Sequence, residues 1–244
     1  MLPRFFVPEA ETTGSVVQLP DDEAAHLVHV LRLKTGDVIQ VFDGRGREWR
    51  ARVDEVGRSH ARVQLLAAIA PGVEPGVQLA LAIAILKGDK MDDVVRDAVM
   101  LGASSIVPLV TERVEIPPRA VERGHRIERW RRIAIASAKQ CGRAVVPVVS
   151  TPVGLQDLVT SKSTALRIML VEPGAIPAVE RLQDLSRANE TLLFVGPEGG
   201  WTPSEMEAAH AAGARLATLG TLTLRADAAP LVAMTALRTA WGDL

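Results

Sequence analysis

The hydrophobic pattern of this chain changes once, at Pro71-Gly72-Val73-Glu74-Pro75-Gly76, a run that neither helix nor strand accepts. Before it, from about Arg4 to Ala70, apolar residues recur with period two. Ser15–Leu19, Val38–Phe42, Glu48–Val53 and Ala61–Leu66 are the strand candidates. Asp43-Gly44-Arg45-Gly46 reads as a hairpin turn. Asp22 to Leu31 reads as a short helix with an Asp cap, and Gly36 ends the connection. Short strands with one helix predict a small, mostly β barrel.

After the break the pattern alternates strand and helix, which predicts a parallel sheet with helices on both faces. Val77–Leu86 is a near-continuous apolar run, as in a strand covered on both sides. Met91, Val94, Val95, Ala98 and Leu101 form a helical stripe that Gly102 closes. Ser105–Val110, Val145–Val149 and Leu166–Val171 read as strands; Pro118–Lys139, Leu155–Val159 and Pro177–Leu185 read as helical. Residues 1–72 and 73–244 are thus expected to form two domains.

Two glycine loops end the chain's pattern. Leu192-Leu193-Phe194-Val195 runs into Gly196-Pro197-Glu198-Gly199-Gly200-Trp201. Thr202-Pro203-Ser204-Glu205 then reads as a helix start, with Thr202 as N-cap, Pro203 at the first position and Glu205 closing a capping box. Ala214–Leu219 is a second strand, followed by Gly220 to Asp227 and a helix to Trp241. Strand, tight glycine loop, helix is where open α/β sheets hold ligands. A Walker loop is excluded by the missing Gly-Lys-Ser/Thr ending, and a dinucleotide fingerprint by the Gly-x-x-Gly-Gly spacing.

Composition narrows the classes. The 244 residues are 48% hydrophobic, ample for a core, and carry a net charge of −1. Bulk charge therefore does not coat nucleic acid, although a local basic patch is compatible. No apolar run is long enough to span a bilayer. Met1-Leu2-Pro3-Arg4-Phe5-Phe6 lacks a signal-peptide apolar core, and the single Cys141 excludes an internal disulfide, so a cytoplasmic protein is expected. Cys141 suits a small packing residue as well as a thiolate. His26 and His29 have no further ligand cluster, so no metal site is expected.

Several pieces, taken in order, are similar to one family. They are Leu86-Lys87-Gly88-Asp89-Lys90-Met91-Asp92, Leu101-Gly102-Ala103, Thr111-Glu112-Arg113, Ala138-Lys139-Gln140-Cys141-Gly142-Arg143, Phe-Val-Gly-Pro-Glu-Gly-Gly and Leu219-Gly220 with Leu224-Arg225. The set resembles the RsmE family of the SPOUT (trefoil-knot) RNA methyltransferases over nearly the whole chain. The resemblance implies an α/β fold: a parallel-sheet SPOUT/trefoil-knot methyltransferase domain preceded by a small PUA-like β-barrel domain that binds RNA. It implies methylation of N3 of a uridine, uridine 1498, in 16S ribosomal RNA within the small ribosomal subunit. It also implies S-adenosyl-L-methionine as cofactor and a homodimer.

The site follows from that resemblance. The strand end Val171-Glu172, the loop with Gly196, Glu198, Gly199 and Gly200, and the loop with Leu219, Gly220, Leu222 and Leu224 would line the cofactor pocket. Glycines would let backbone N–H and C=O groups approach the adenine and ribose, and leucines would sandwich the purine. Glycines that only cap strands are the plainer alternative.

Arg225 and Asp227 are the catalytic candidates. Where the family usually shows Leu-Arg-Thr-Glu-Thr, this chain has Leu224-Arg225-Ala226-Asp227-Ala228. A guanidinium can hold charge developing on uracil oxygens, and a carboxylate can take the N3 proton; Asp227 can equally be a helix N-cap.

RNA-backbone contacts are expected from the basic surplus between Arg113 and Arg143, which includes Arg126, Arg129 and Arg132. In the same stretch Arg119, Arg123, Arg131 and Lys139 are opposed by only Glu115, Glu122 and Glu128; a solvated helix face is the alternative. The resemblance adds Arg4, Arg32, Lys87 and Lys90. Two other functional readings stand beside the enzyme: a non-catalytic RNA-binding or ribosome-assembly factor that keeps the fold, and a phosphate-binding nucleotide enzyme.

Overall fold

The structure, a computed structural model, describes residues 2–114, 125–176 and 179–244. The chain forms two compact units, Met1–Glu74 with Ile135–Val146, and Pro75–Ala134 with Pro147–Leu244.

In the first unit, β1 (Arg4–Phe6), β2 (Val16–Gln18), β3 (Val38–Phe42), β4 (Glu48–Val56) and β5 (Ala61–Ile69) form one sheet in the order β1-β3-β4-β5-β2. β1 is parallel to β3, and the remaining pairs are antiparallel. Register shifts at Arg50/Ala51 and Val53/Glu55 sharpen the twist, and the sheet curls into a half-barrel. Phe5, Ile39, Val41, Trp49, Ala51, Val53, Val63 and Leu65 fill its inner side. The Asp-Gly hairpin forms as its residues predict. Asp43 accepts from the N–H groups of Arg45 (2.8 Å) and Arg47 (3.0 Å), and Gly44 and Gly46 take φ of +77° and +98°.

The expected Asp cap is absent. Helix α1 (Asp21–Ala25) begins after Pro20 with no side-chain cap, and Asp22 instead accepts the N–H of Glu23 at 3.0 Å. The helix then widens into a π turn, His26–Leu31, that Arg32 closes at φ +53°.

Arg4 and Arg143 correct the RNA assignment. Arg4 donates to Glu48 (2.8 Å) and to the carbonyls of Ala138 (3.2 Å), Lys139 (3.0 Å) and Arg143 (3.2 Å). Arg143 pairs with Glu74 at 2.8 Å. Each side chain is only 9% exposed, so these guanidiniums are taken up by the unit's own backbone and carboxylates.

The second unit is an eight-stranded sheet. It comprises β6 (Gln78–Ala84), β7 (Ser105–Val110), β8 (Val148–Val149), β9 (Val153–Gly154), β10 (Leu166–Leu170), β11 (Glu180–Arg181), β12 (Glu190–Val195) and β13 (Arg215–Thr218). The order is β11-β13-β10-β12-β6-β7-β8, with β9 also on β7, and every described pairing is parallel. Burial of Leu79, Leu81, Ile83, Ile168, Met169, Leu193 and Phe194 explains their unbroken apolar runs. The helices are α2 (Lys90–Met100), α3 (Arg126–Cys141), α4 (Leu155–Val159), α5 (Pro203–Ala211) and α6 (Ala229–Ala240). Helix α3 starts in this unit and ends in the first. The first seven residues of the expected Pro118–Lys139 helix lie outside the described residues.

Pro177–Leu185 is not a helix where it is described. Glu180 and Arg181 join the sheet opposite Ala217 and Thr218, and Leu182–Asp184 is a single 3-10 turn. The spacing of Val179, Leu182 and Leu185 suits that turn as well as a helix, and strand pairing decides between them. The predicted Val145–Val149 strand is also shorter: Val145 bridges Gly44 and Arg45 in the first unit, and the strand begins at Val148.

Behind the sheet, Arg238 and Asp243 fasten distant backbone. Arg238 donates to the carbonyls of Leu101 (2.6 Å) and Gly102 (2.7 Å), just past the end of α2. Asp243 accepts from Arg238 and from the N–H groups of Gly76 (2.7 Å) and Val77 (3.1 Å), at the entry to β6.

Candidate active site

β10 is hydrogen-bonded to β12 on one side and β13 on the other, so Leu170 stands opposite both Val195 and Ala217. The three loops leaving these strands therefore open side by side at their carboxyl ends, as ligand loops do in α/β sheets. A cavity of about 210 Å³ lies between them.

Its floor and walls are apolar: Leu170, Val171, Val195, Trp201, Leu219 and Leu224, with the largely exposed Leu222 at the mouth. Trp201 donates its indole N–H to the Leu170 carbonyl at 2.8 Å and lies flat against Gly196. A Cβ at residue 196 would meet the indole at 3.0 Å, so glycine is what lets the ring cover the loop. Gly200 turns at φ +67° beside the Glu172 carboxylate, 3.1 Å from where a Cβ would stand.

The outer wall of this loop is held by sequence-distant groups. The Arg113 guanidinium donates to the carbonyls of Gly199 (2.7 Å) and Trp201 (3.2 Å). The capping box forms as expected: Thr202 accepts from the Glu205 N–H at 3.2 Å, and Glu205 accepts from the Thr202 N–H at 2.9 Å. The other Glu205 oxygen accepts the N–H of Glu112 at 2.9 Å.

Charge is concentrated at the rim. Lys90, at the start of α2, donates to Glu198 at 2.8 Å, and the Lys87 N–H reaches the same oxygen at 3.4 Å. Burial pushes the Glu198 carboxyl up, but Lys90, its own N–H and that of Lys87 outweigh it, holding it below the usual range. Arg225 donates through Nε (3.1 Å) and Nη2 (3.0 Å) to the two oxygens of Asp227. Partial burial raises the Asp227 carboxyl, while its own N–H, Arg225 and the more distant Lys90 together lower it further.

The structure brings together most of the sequence-derived site. Val171, Glu172, Gly196, Glu198, Gly200, Leu219, Leu222, Leu224 and Arg225 line the cavity. Gly199 and Gly220 do not: Gly199 backs onto the Arg113 side chain, and a Cβ at residue 220 would meet nothing within 4 Å. Asp227 sits behind Arg225 without lining the cavity, and it is not a cap, since the N-cap of α6 is Ala228, with no side-chain cap bond. Trp201 and Thr218 are lining residues that the sequence reading missed; the indole's place beside the glycine loop was the available signal.

The expected RNA contacts are scattered. Lys90 belongs to the rim and Arg113 to the loop clasp. Arg129 pairs with Asp89 and Asp92, and Arg132 leans on the Glu128 carbonyl of its own helix at 3.4 Å. Arg126 is half-buried, while Arg32 and Lys87 are exposed. Arg119 and Arg123 lie outside the described residues. Among the described residues, no group of three or more His, Cys, Asp or Glu could hold a metal ion, and no helix is long and apolar enough to cross a membrane.

The chain's two units, a parallel α/β unit with this cavity and a curled β unit, are those of an RNA methyltransferase. Residues 73–238 match the family model of the RNA methyltransferase domain, and residues 19–66 match that of the RNA methyltransferase PUA domain. The ribosomal RNA small subunit methyltransferase E of Synechocystis sp. is 33% identical over 240 residues, covering 95% of this chain and 75% of that protein. The Mycobacterium tuberculosis protein of that name is 30% identical over 242 residues, covering 96% and 90%. The ribosomal RNA small subunit methyltransferase E of Neisseria gonorrhoeae, bound to S-adenosyl methionine, superposes with a TM-score of 0.88 at 33% identity, covering 99% and 98% of the two chains. A Legionella pneumophila methyltransferase in complex with the same cofactor reaches a TM-score of 0.92 at 28% identity, covering both chains fully. The chain belongs to the ribosomal RNA small subunit methyltransferase E family.

Proposed function

We propose that this protein methylates N3 of a uridine, the family's uridine 1498, in 16S ribosomal RNA of the small ribosomal subunit, using S-adenosyl-L-methionine. The observation that carries the reading is the placement of Arg225: its guanidinium borders the cofactor cavity while Asp227 grips one edge.

The cavity suits an adenosyl cofactor. Its apolar walls, the Trp201 indole among them, match a purine, and Glu172 and Glu198 match a cationic ligand. When bound, the cofactor supplies a methyl group on a positively charged sulfur.

The chain's own task is the acceptor. Uracil N3–H is weakly acidic, so transfer requires the proton to leave and the resulting negative charge to be held. Asp227 is ionised well below neutrality, tied to a guanidinium, and is therefore a poor proton acceptor. Its role is to orient Arg225. The Arg225 Nη1 has no hydrogen-bond partner among the described residues and can donate to a uracil carbonyl oxygen as charge develops there. The N3 proton passes to solvent. Ala226-Asp227-Ala228 lacks the family's hydroxyls, yet the shorter carboxylate still reaches the guanidinium, which favours the enzyme over a non-catalytic binder.

We also assign residues 1–72 as the RNA-binding domain, 73–244 as the methyltransferase domain, and the assembly as a homodimer in the cytoplasm. Exposed Leu231 and Val232 on α6 support the dimer. Methyl transfer from labelled cofactor to small subunits of a strain lacking the enzyme, with the product mapped by mass spectrometry, tests the reading. A methyl group on any atom other than uridine N3 overturns the assignment of acceptor.

A further inference from the structure

The outer face of the curled sheet carries two arginines that make no ion pair among the described residues. Along β4 the side chains alternate, with Trp49, Ala51 and Val53 buried in the core and Arg50, Arg52 and Asp54 exposed on the other side. Across the ladders Arg50 stands opposite Gln40 and Ala67, and Arg52 opposite Val38 and Gln64. No carboxylate lies opposite either. This is unusual for the unit, whose other arginines are mostly engaged. Arg4, Arg45, Arg47, Arg62 and Arg143 all pair with carboxylates.

Among the described residues neither Arg50 nor Arg52 makes an ion pair or side-chain hydrogen bond. Two residues apart on one strand, they project from the same face about 7 Å from each other. Free cations continue beyond them, Lys34 before β3 and Arg58 in the β4–β5 turn, while Asp54 is the one outward carboxylate on β4 without a partner. Gln40 and Gln64 flank the pair with amide donors and acceptors, and no aromatic ring lies among these outward residues.

We infer that this face, centred on Arg50 and Arg52, is a phosphate-backbone contact for a strand of RNA. Unpaired guanidiniums fork onto phosphate oxygens, and neighbouring amides suit ribose hydroxyls or base edges. With no stacking platform the contact fastens RNA without reading its sequence. The inference rests on the reading of the protein as an RNA methyltransferase with residues 1–72 as its RNA-binding domain, and names the face of that domain that meets the phosphate backbone.

The test uses the full chain and a 16S ribosomal RNA transcript, with binding followed over a series of salt concentrations. Arg50→Gln with Arg52→Gln is expected to weaken binding about tenfold and to lower the log–log salt slope by roughly 1.4–1.8, at 0.7–0.9 per lost phosphate contact. An unrelated transcript should lose as much, and cofactor affinity should not change. Lys162→Gln with Arg181→Gln, which removes the same charge from exposed positions of the other unit, is expected to leave the slope intact. An unchanged slope in the Arg50 and Arg52 variant overturns the inference while leaving the methyltransferase reading standing. Failure of the wild-type chain to bind either the transcript or small subunits would instead sink both. Loss of binding to small subunits with undiminished binding to the naked transcript would assign the face to an acidic protein and overturn the RNA contact.

Discussion

Arg225 and Asp227, two residues apart, meet in a two-pronged contact of 3.1 and 3.0 Å at the entrance to the last helix. On the proposed reading Asp227 positions Arg225, and the two side chains should fail in different ways. Arg225→Ala is expected to lower kcat by 10²–10³-fold, the range for losing one preorganised charge stabiliser. Cofactor affinity, measured by calorimetry, should hold. Asp227→Asn is expected to lower kcat by about tenfold, because one prong is lost and the guanidinium wanders. Its pH profile should keep the wild-type shape. If Asp227→Asn selectively flattened the acid limb of that profile, the carboxylate would be the base after all.

The glycine loop separates two neighbouring substitutions. Gly196→Ala places a methyl group 3.0 Å from the Trp201 indole, so the ring must shift in the cavity wall. Cofactor affinity is expected to fall about two- to tenfold, since a disturbed aromatic contact is worth roughly 0.5–1.5 kcal/mol. Gly199→Ala presses instead on the Cβ of Arg113 at 3.3 Å, outside the cavity. It should cost thermal stability before it costs affinity. Equal losses of affinity in the two variants would refute the cavity as drawn.

Asp43 gives a dependence on acid. Burial raises its carboxyl, but two backbone N–H groups and the Arg45 and Arg47 guanidiniums overcome that and hold it below its ordinary value. Its stabilisation is therefore complete above the unfolded carboxyl's titration and is lost as pH falls through the depressed folded value. Asp43→Asn should be less stable than wild type by about 1–3 kcal/mol at neutral pH, and the gap should close as pH drops below about 4. Urea unfolding followed at several pH values checks this; a gap that widened in acid would reverse the sign.

The exposed pair Leu231 and Val232 tests the assembly. Leu231→Glu with Val232→Glu, both on the outer side of α6 and 39% and 41% exposed, is expected to yield a monomer by light scattering with the fold intact by circular dichroism. A wild-type chain that is already monomeric at micromolar concentration would remove the dimer from the account.

Local chemistry was legible where the deciding partner lies nearby. The Thr202–Glu205 box, the Asp43 hairpin and the paired glycine loops could all be read because their groups are four residues apart or fewer, or repeat a strand-loop-helix pattern. Arginine roles were not legible. Arg4 spends its donors on carbonyls 134 to 139 residues away, and Arg113 on carbonyls 86 and 88 residues away. Nothing in a run of basic residues distinguishes a guanidinium that caps a backbone from one that waits for phosphate. Arg50 and Arg52 escaped notice for the converse reason: two cations in a short strand attract no attention until the cross-strand register shows that no acid opposes them.

Asp243 accepts the N–H groups of Gly76 and Val77 across 167 and 166 residues of chain. During translation those two groups emerge first, and their partner is among the later residues to be made. The entry to β6 therefore stays unlatched while the rest of the second unit is synthesised. β10 likewise waits for both β12 and β13 before its end can form the cavity floor. Until β13 has been made, a nascent chain of this protein holds no finished site with which to modify ribosomal RNA.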